Sequence, residues 1–323
     1  MTSLTEKSRY SGKDLAFIIP TRNRPDKVRN LLASFARQSL RCGRIIVVAS
    51  GADIGNVVDE FSRDLPVEYC HVKQEGQIYQ RNKGISLLDD RTPLAGSLDD
   101  DIVLEPGALE NMVNFWNRAE AETAGVSFNI VNNSEHILPV LQAITGLGLP
   151  GKGRVFRSGY HVAGSPADDD LKAEWLCGGA TVWKKSVFDD IRHPEIECRW
   201  AVCEDLIFSY PVGKRYPLYV CAGARVRHEH VQDHLTRGKQ RYYGRTTALW
   251  RLYFVESQED LSRCLYFCST LNQVIVHFVA GAFLLKRDML EYAIGLLAGA
   301  LAGGRCILSG GSLSEMLGEP RGR

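Results

Sequence analysis

The sequence predicts an α/β fold: a Rossmann-like, mostly parallel sheet flanked by helices, with a helical C-terminal extension. Three observations carry this. Short continuous apolar runs, Leu15-Ala16-Phe17-Ile18-Ile19 and Ile45-Ile46-Val47-Val48, have the composition of strands buried on both faces. They alternate with helical stretches, and that cadence gives a parallel sheet with helices on its faces. The runs also end alike, at Pro20-Thr21, at Ser50-Gly51 and at Asp99-Asp100-Asp101. Such sheets bind ligands at the carboxyl ends of their strands, so three separate stretches point at one crevice.

Taken in order, the first strand stops at Pro20-Thr21-Arg22-Asn23-Arg24-Pro25, whose second proline opens a helix expected to reach Gln38. A second strand covers Arg44 to Ala49, a short helix surrounds Val57 to Phe61, and a third strand runs from Val67 to Val72. Gln77 to Leu88 is the next helix, and the apolar approach from Thr92 to Leu98 is the strand that delivers the three acids. Pro106 to Ala121 reads as helix and Val126 to Val131 as strand. From Asn132 to about Leu171 no steady period survives, and a stretch this long without structure is usually functional or mobile. Order resumes at Trp175-Leu176-Cys177-Gly178-Gly179-Ala180-Thr181-Val182-Trp183, where the glycine pair allows close backbone approach to a ligand. A helix then opens on Glu204-Asp205, acids that also suit a helix dipole. Pro217 to Cys221 and Ala224 to Val226 read as two extended pieces before Arg227-His228-Glu229-His230. The tail holds two apolar stretches, Val274 to Leu285 and Tyr292 to Leu301, split by Lys286-Arg287-Asp288. Each falls short of the ~18–20 residues of a spanning helix, so packed or interfacial helices are expected, with Gly295, Gly299 and Gly303 allowing close contact.

Three adjacent carboxylates repel one another, so a fold keeps them only in solvent or around a cation. At a strand end, Asp99 and Asp101 share one face and Asp100 takes the other, which suits a hard divalent ion completed by substrate phosphates. Asp168-Asp169-Asp170 lacks the apolar flanks and is expected to be a solvated loop. A formal net charge of +1 gives no global argument for nucleic acid. Arg237, Lys239, Arg241, Tyr242, Tyr243, Arg245, Trp250 and Arg251 cluster cations beside aromatics, but no nucleic-acid motif accompanies them, and a phosphorylated substrate or a solvated helix face explains them better. The nine scattered cysteines, Cys198/Cys203 and Cys264/Cys268 included, lack zinc-site spacing and read as reduced thiols. Met1 to Lys13 is polar without an apolar signal core, so a cytoplasmic protein is expected.

The ordered set PTRNRP, Gln80-Arg81-Asn82-Lys83-Gly84, Leu98-Asp99-Asp100-Asp101, CGGATVW, Cys203-Glu204-Asp205 and Arg227-His228-Glu229-His230 resembles the family 2 glycosyltransferases, inverting nucleotide-sugar enzymes of the GT-A fold, over roughly residues 14 to 251. The resemblance implies that Pro20, Thr21, Arg22 and Asn23 line the nucleotide pocket, that Arg81 approaches the nucleotide or its phosphates, and that Asp99 and Asp100 contact the donor. It implies a divalent metal, Mn²⁺ or Mg²⁺, on Asp99, Asp101 and His228, with His230 as a substitute for His228. Asp205 is the implied catalytic base, and Gly178, Gly179 and Glu204 fall on the acceptor side; from the residues themselves, Trp200 before Asp205 and Phe208 after it offer apolar cover over the acceptor. Tyr242, Tyr243 and Arg245 are similar to members that build bacterial surface polysaccharides. The second strand departs from the family, ending Val48-Ala49-Ser50-Gly51 without the usual acids, so the base of the nucleotide stays open.

The expected organisation is therefore a polar tail (1–13), a GT-A domain (14–251) and a helical C-terminal extension (252–323). The expected partners are a nucleoside-diphosphate sugar and a glycan or lipid-linked acceptor, with peripheral contact at the inner face of the cytoplasmic membrane. Two alternatives stay open. A nucleotide-sugar-binding protein without catalysis is one. A nucleotidyltransferase is the other, and it would need a glycine-rich loop where PTRNRP has no glycine.

Overall fold

Burial decides the strands first. In a computed structural model, which describes residues 9–133, 139–196, 201–229 and 239–318, β1 (Leu15–Arg22) is buried up to its last residue and β2 (Arg44–Ser50) after its first. These two, with β3 (Val67–Val72) and β4 (Leu94–Leu98), pair in parallel in the order β3-β2-β1-β4. Crossovers are made by α1 (Pro25–Ala36), α2 (Gly55–Asp59) and α3 (Gln77–Ile85). Both α1 and α3 stop short of the expected ends at Gln38 and Leu88.

Beyond β4 the sheet turns mixed. β5 (Ile102–Leu104), α4 (Ala108–Arg118) and β6 (Gly125–Ile130) follow in sequence. α5 is Pro139–Gly146, β7 Leu171–Ala173 and β8 Ala180–Lys184. α6 (Val187–Asp190), α7 (Glu204–Gly213) and β9 (Leu218–His228) come next. β8 lies antiparallel between β4 and β6, while β6 and β9 run parallel. β5 and β7 each pair antiparallel with β9. The remaining helices are α8 (Gln240–Glu256), α9 (Arg263–Phe283), α10 (Arg287–Leu308) and α11 (Leu313–Leu317).

Several expectations change. The acid triplet lies in a turn between β4 and β5, closed by the Ile102 N–H donating to the Asp99 carbonyl at 3.1 Å, rather than within a strand end. The two extended pieces near residue 220 are one strand, β9, bulged where Phe128 pairs with Cys221 but Asn129 with Arg225. Asn129 fills the bulge by donating to the Ala222 carbonyl. The stretch expected to be irregular contains α5. The tail helices have 21 and 22 residues, long and apolar enough to cross a membrane by length and composition, because charged Arg263 and Arg287 start helices that the apolar count alone does not include. Asp168, Asp169 and Asp170 are exposed as expected, with Asp170 paired to Arg118 at 2.5 Å. No disulfide joins the described cysteines. Cys198, Trp200, His230 and Arg237 lie outside the described residues.

Contacts group the chain into two units: Met1–Asn133, Gly164–Arg192 and Tyr210–Glu229 in one, Ser134–Ala163, His193–Ser209 and His230–Arg323 in the other. The first holds the whole sheet. Its core packs Phe17 edge-on against Phe35 and surrounds them with Leu31, Val47, Met112 and Phe128. The second is helical. There α10 lies against α8 through glycines: a Cβ on Gly299 would come within 2.9 Å of the Ala248 Cβ, and one on Gly295 within 2.9 Å of the Arg245 nitrogen. The basic stretch expected to meet phosphate is divided by this packing. Arg251 is buried, donates to Thr270 and lies 5.0 Å over the Tyr266 ring, whereas Arg241 stays exposed.

Candidate active site

The site of the first unit begins where β1 and β2 end. Gln80, buried on α3, donates to the Thr21 and Val48 carbonyls, both at 2.6 Å, so one amide ties the two strand ends together. Asn23 stands in the left-handed region (φ 55) and its Oδ1 accepts from the Ala52 N–H at 2.7 Å. Gly51 opposite also has positive φ (79), and a Cβ on it would lie 2.9 Å from the Asn23 Cγ. The glycine that ends β2 therefore makes room for Asn23. Pro20 is buried within β1, and exposed Arg22 pairs with Glu75 at 2.8 Å.

The turn after β4 separates the three acids as expected, through turn geometry instead of strand alternation. Asp100 points inward and is 5% exposed; its Oδ2 accepts from the Thr21 hydroxyl at 2.7 Å and its Oδ1 from Arg24 at 3.0 Å. Burial pushes its carboxyl up to about 6, against the opposing pull of Thr21 and Arg24. Asp99 faces α3, where Gln77 donates to its Oδ1 at 2.8 Å and the buried Arg81 guanidinium lies at 3.3 Å. Asp101 meets the end of β9: its Oδ1 is 2.9 Å from His228 Nε2, and its carbonyl accepts the Glu229 N–H at 2.8 Å.

Ligand atoms of Asp99, Asp101 and His228 all lie within 4.8 Å of one another. Two carboxylate oxygens and an imidazole nitrogen form a donor set for a hard or borderline divalent ion. Gly179 supplies the second sign of fit. Its carbonyl accepts the Asp99 N–H at 2.9 Å, and a Cβ there would lie 2.9 Å from the Asp99 Cγ, so only glycine leaves the carboxylate its position. Gly178 precedes it, half-buried. Burial alone would lower the His228 pKa, but its hydrogen bond to Asp101 and the charges of Asp101, Asp99 and Asp100 outweigh that and raise it. A cation and a proton thus compete for the same Nε2.

Four side chains to which the sequence reading assigned no role complete this site. Gln80 and Gln77 hold the strand ends and Asp99, and Arg24 spans Asp100 and Asp101. Asn132 clamps His228 from both sides, accepting its N–H at 2.8 Å and donating to its carbonyl at 2.9 Å. Gln77 and Gln80 occupy the first turn of a helix that starts at a strand's carboxyl end, a readable signal. Asn132 carries none, since its partner is 96 residues away.

In the second unit, Glu204 and Asp205 open α7 as expected, and they diverge. Glu204 is buried, its Oε2 3.2 Å from His193 Nδ1, and the His193 ring stacks on Phe208 at 4.1 Å. Asp205 is half-buried, and its Oδ1 accepts the N–H of Leu206 at 2.8 Å.

Residues 16–166 match the family described as Glycosyl transferase family 2. Among solved structures, the fold is shared with a 1–349 fragment of TarS from S. aureus, with a TM-score of 0.51 and 11% identity over 89% of this chain and 91% of that one. It is also shared with PcManGT, a mannosyltransferase from Pyrobaculum calidifontis solved in complex with GDP-Man and Mn²⁺, with a TM-score of 0.55 and 13% identity over 92% of this chain and 79% of that one. No curated protein matches the sequence.

Proposed function

This chain is a family 2 glycosyltransferase of the GT-A fold, and from that premise we propose that it moves a sugar from a nucleoside-diphosphate sugar to a hydroxyl of a glycan or lipid-linked acceptor, with inversion and with a divalent metal. The observation that carries the reading is the convergence of Asp99, Asp101 and His228 from a turn and a distant strand end. PcManGT, solved with GDP-Man and Mn²⁺, supports the same choice of donor class and ion.

In this reading Asp99, Asp101 and His228 hold Mn²⁺ or Mg²⁺, which when bound offsets the charge of the diphosphate leaving group as a Lewis acid. Gln77 and Arg81 orient Asp99, and Asn132 orients His228. Pro20, Thr21, Arg22 and Asn23 flank the nucleotide. Asp100 serves that side by fixing Thr21 and Arg24 rather than by opening to solvent. Asp205 takes the proton of the acceptor hydroxyl as its oxygen bonds to the anomeric carbon and the bond to the diphosphate breaks. One such displacement inverts the centre, and a positioned base typically contributes ~10²–10⁴-fold. Gly178 and Gly179 lie on the acceptor side. The burial of Glu204 against His193 favours a part in fixing the start of α7 over contact with the acceptor.

The catalytic domain is taken to run over residues 14–251, with 252–323 as the extension. Tyr242, Tyr243 and Arg245 support a place in bacterial surface polysaccharide synthesis, on the cytoplasmic side of the membrane. A panel of nucleotide sugars, assayed for nucleoside diphosphate release with Mn²⁺, with Mg²⁺ and with chelator, tests the proposal. Release from one donor that stops with chelator and returns with metal is expected. Undiminished release in chelator overturns the metal assignment, and no release from any donor overturns the donor class.

A further inference from the structure

The helical unit presents an apolar surface that the transfer reaction does not use. On α9, Leu271, Ile275, Phe278 and Val279 recur at helical spacing and are each about half exposed or more, on the side opposite buried Ser269, Thr270 and Gln273. α10 repeats the arrangement with Ile294, Leu297 and Leu301, opposite the glycines that meet α8. The surface continues onto α5, which is tied to α9 by the Asn272 amide donating to the Ile144 carbonyl at 2.8 Å and by the Ser269 hydroxyl donating to Thr145. There Val140 and Ile144, one turn apart, are exposed as well.

The turn between α9 and α10 is the sharpest part of this surface. α9 closes with the Lys286 N–H donating to the Gly281 carbonyl at 2.8 Å, which leaves Leu285 at φ 53, a position where helices ordinarily place glycine. A leucine there carries backbone strain and is also 91% exposed, beside Phe283 at 86%. Exposed Lys286 and Arg287 follow directly. Across α9, the turn and α10 the charged side chains are Arg263, Lys286, Arg287 and Arg305 against Asp288 and Glu291; Arg263 pairs with Glu256 at 2.5 Å and Arg287 with Glu291 at 3.8 Å, which leaves Lys286 as the cation next to the tip.

We propose that this hairpin, together with α5, is a membrane-contact surface that rests on a bilayer bearing anionic headgroups and inserts the tip Phe283-Leu284-Leu285 among the acyl chains. A convex apolar tip followed directly by exposed Lys286 and Arg287 fits a fluid interface that carries negative headgroups. Crossing the bilayer does not fit. α10 lies so close to α8 that a Cβ on Gly295 would come within 2.9 Å of the Arg241 carbonyl carbon, and a spanning α10 would carry Arg241 and Arg245 into hydrocarbon.

The inference stands apart from the transfer reading. Its test is co-sedimentation of the full chain with vesicles of phosphatidylcholine alone and of phosphatidylcholine mixed with phosphatidylglycerol. Binding to the mixed vesicles, weakened by salt, is expected. Leu285→Gly relieves the backbone strain while removing the apolar tip, so combined with Phe283→Ser it should lower vesicle binding at least tenfold. Leu285→Gly alone should leave the melting temperature unchanged or raised. Lys286→Gln with Arg287→Gln should remove the preference for the anionic vesicles. No binding by the wild-type chain, or wild-type binding by the tip variant, overturns the proposal. So does retention in native membranes after carbonate extraction, which would mean a span. A dimer abolished by the tip variant without any vesicle binding would mean that the surface belongs to a second copy.

Discussion

Gly179→Ala tests the proposed metal site without substituting any of its three candidate ligands. A Cβ at this position would lie 2.9 Å from the Asp99 Cγ, closer still to Oδ2, and 3.6 Å from the Asp99 Cβ. Ordinary carbon–carbon contact lies at ~3.5–4.0 Å, so the carboxylate must retreat by about 0.6–1 Å. The clash is with the end of one short side chain, so folding should be little affected. Retreat, however, pulls Asp99 away from Gln77 at 2.8 Å and spreads a ligand set now held within 4.8 Å. A displacement of about 1 Å in a positioned site can cost on the order of 10²-fold, so a loss of roughly 10–100-fold in Mn²⁺ affinity is expected. Isothermal titration calorimetry with Mn²⁺ reads this directly and requires no donor, with thermal unfolding recorded beside it. Unchanged Mn²⁺ affinity in the variant would show that Asp99 does not ligate from this position. An affinity loss matched by a large fall in melting temperature would show that Gly179 is needed for packing instead.

Asp205→Asn keeps shape and removes basicity, so turnover should fall by ~10²-fold or more while donor affinity holds; near-normal turnover places the base elsewhere. Gly299→Leu forces a side chain against Ala248 and the α8 backbone, and overpacking of this kind costs about 1–3 kcal/mol, read as an earlier urea midpoint; an unchanged midpoint would refute the close α8–α10 contact. His161 supplies a pH test: burial pulls its pKa from 6.5 to about 4, with the Gly159 carbonyl opposing and Arg251 adding to the fall. The unfolded chain then binds more protons than the native one, so this histidine's contribution to stability is complete above pH 6.5 and is lost as pH falls towards 4. Asp100, raised by burial from 3.8 to about 6, acts with the opposite sign, gaining stability as pH falls through that window. The measurement is therefore the difference between wild type and His161→Gln at pH 7 and pH 4.5, and an equal acid loss in both would refute the assignment.

The alternation of apolar runs with helices made the parallel half of the sheet legible, because β1 and β2 are buried on both faces and nothing but continuous apolar sequence survives there. The acid triplet was legible for a related reason, since charges abutting a buried strand must be compensated. Its mechanism was not. The separation of Asp100 from its neighbours comes from a turn, and its inward direction from Thr21 and Arg24, whose partnership spans more than seventy positions of sequence. The insertion of β8 antiparallel beside β4 and the bulge that makes β9 one strand also escaped, because pairing direction and register are tertiary choices.

By itself the sequence determined which segments could be strands, that their ends would gather polar residues at one edge, and that the C-terminal region would be built on two apolar helices. Those follow from local composition and period, which act over a few residues. Tertiary structure alone decided that Asn132 would clamp His228, that Gly179 would make room for Asp99, and that Glu204 would turn to His193 while Asp205 bonds its own neighbour. Each depends on two side chains, or a side chain and a backbone, brought together by chain closure. A single position's chemistry permits such a contact but cannot select it, because the free energy that favours it exists only once both partners are buried in place.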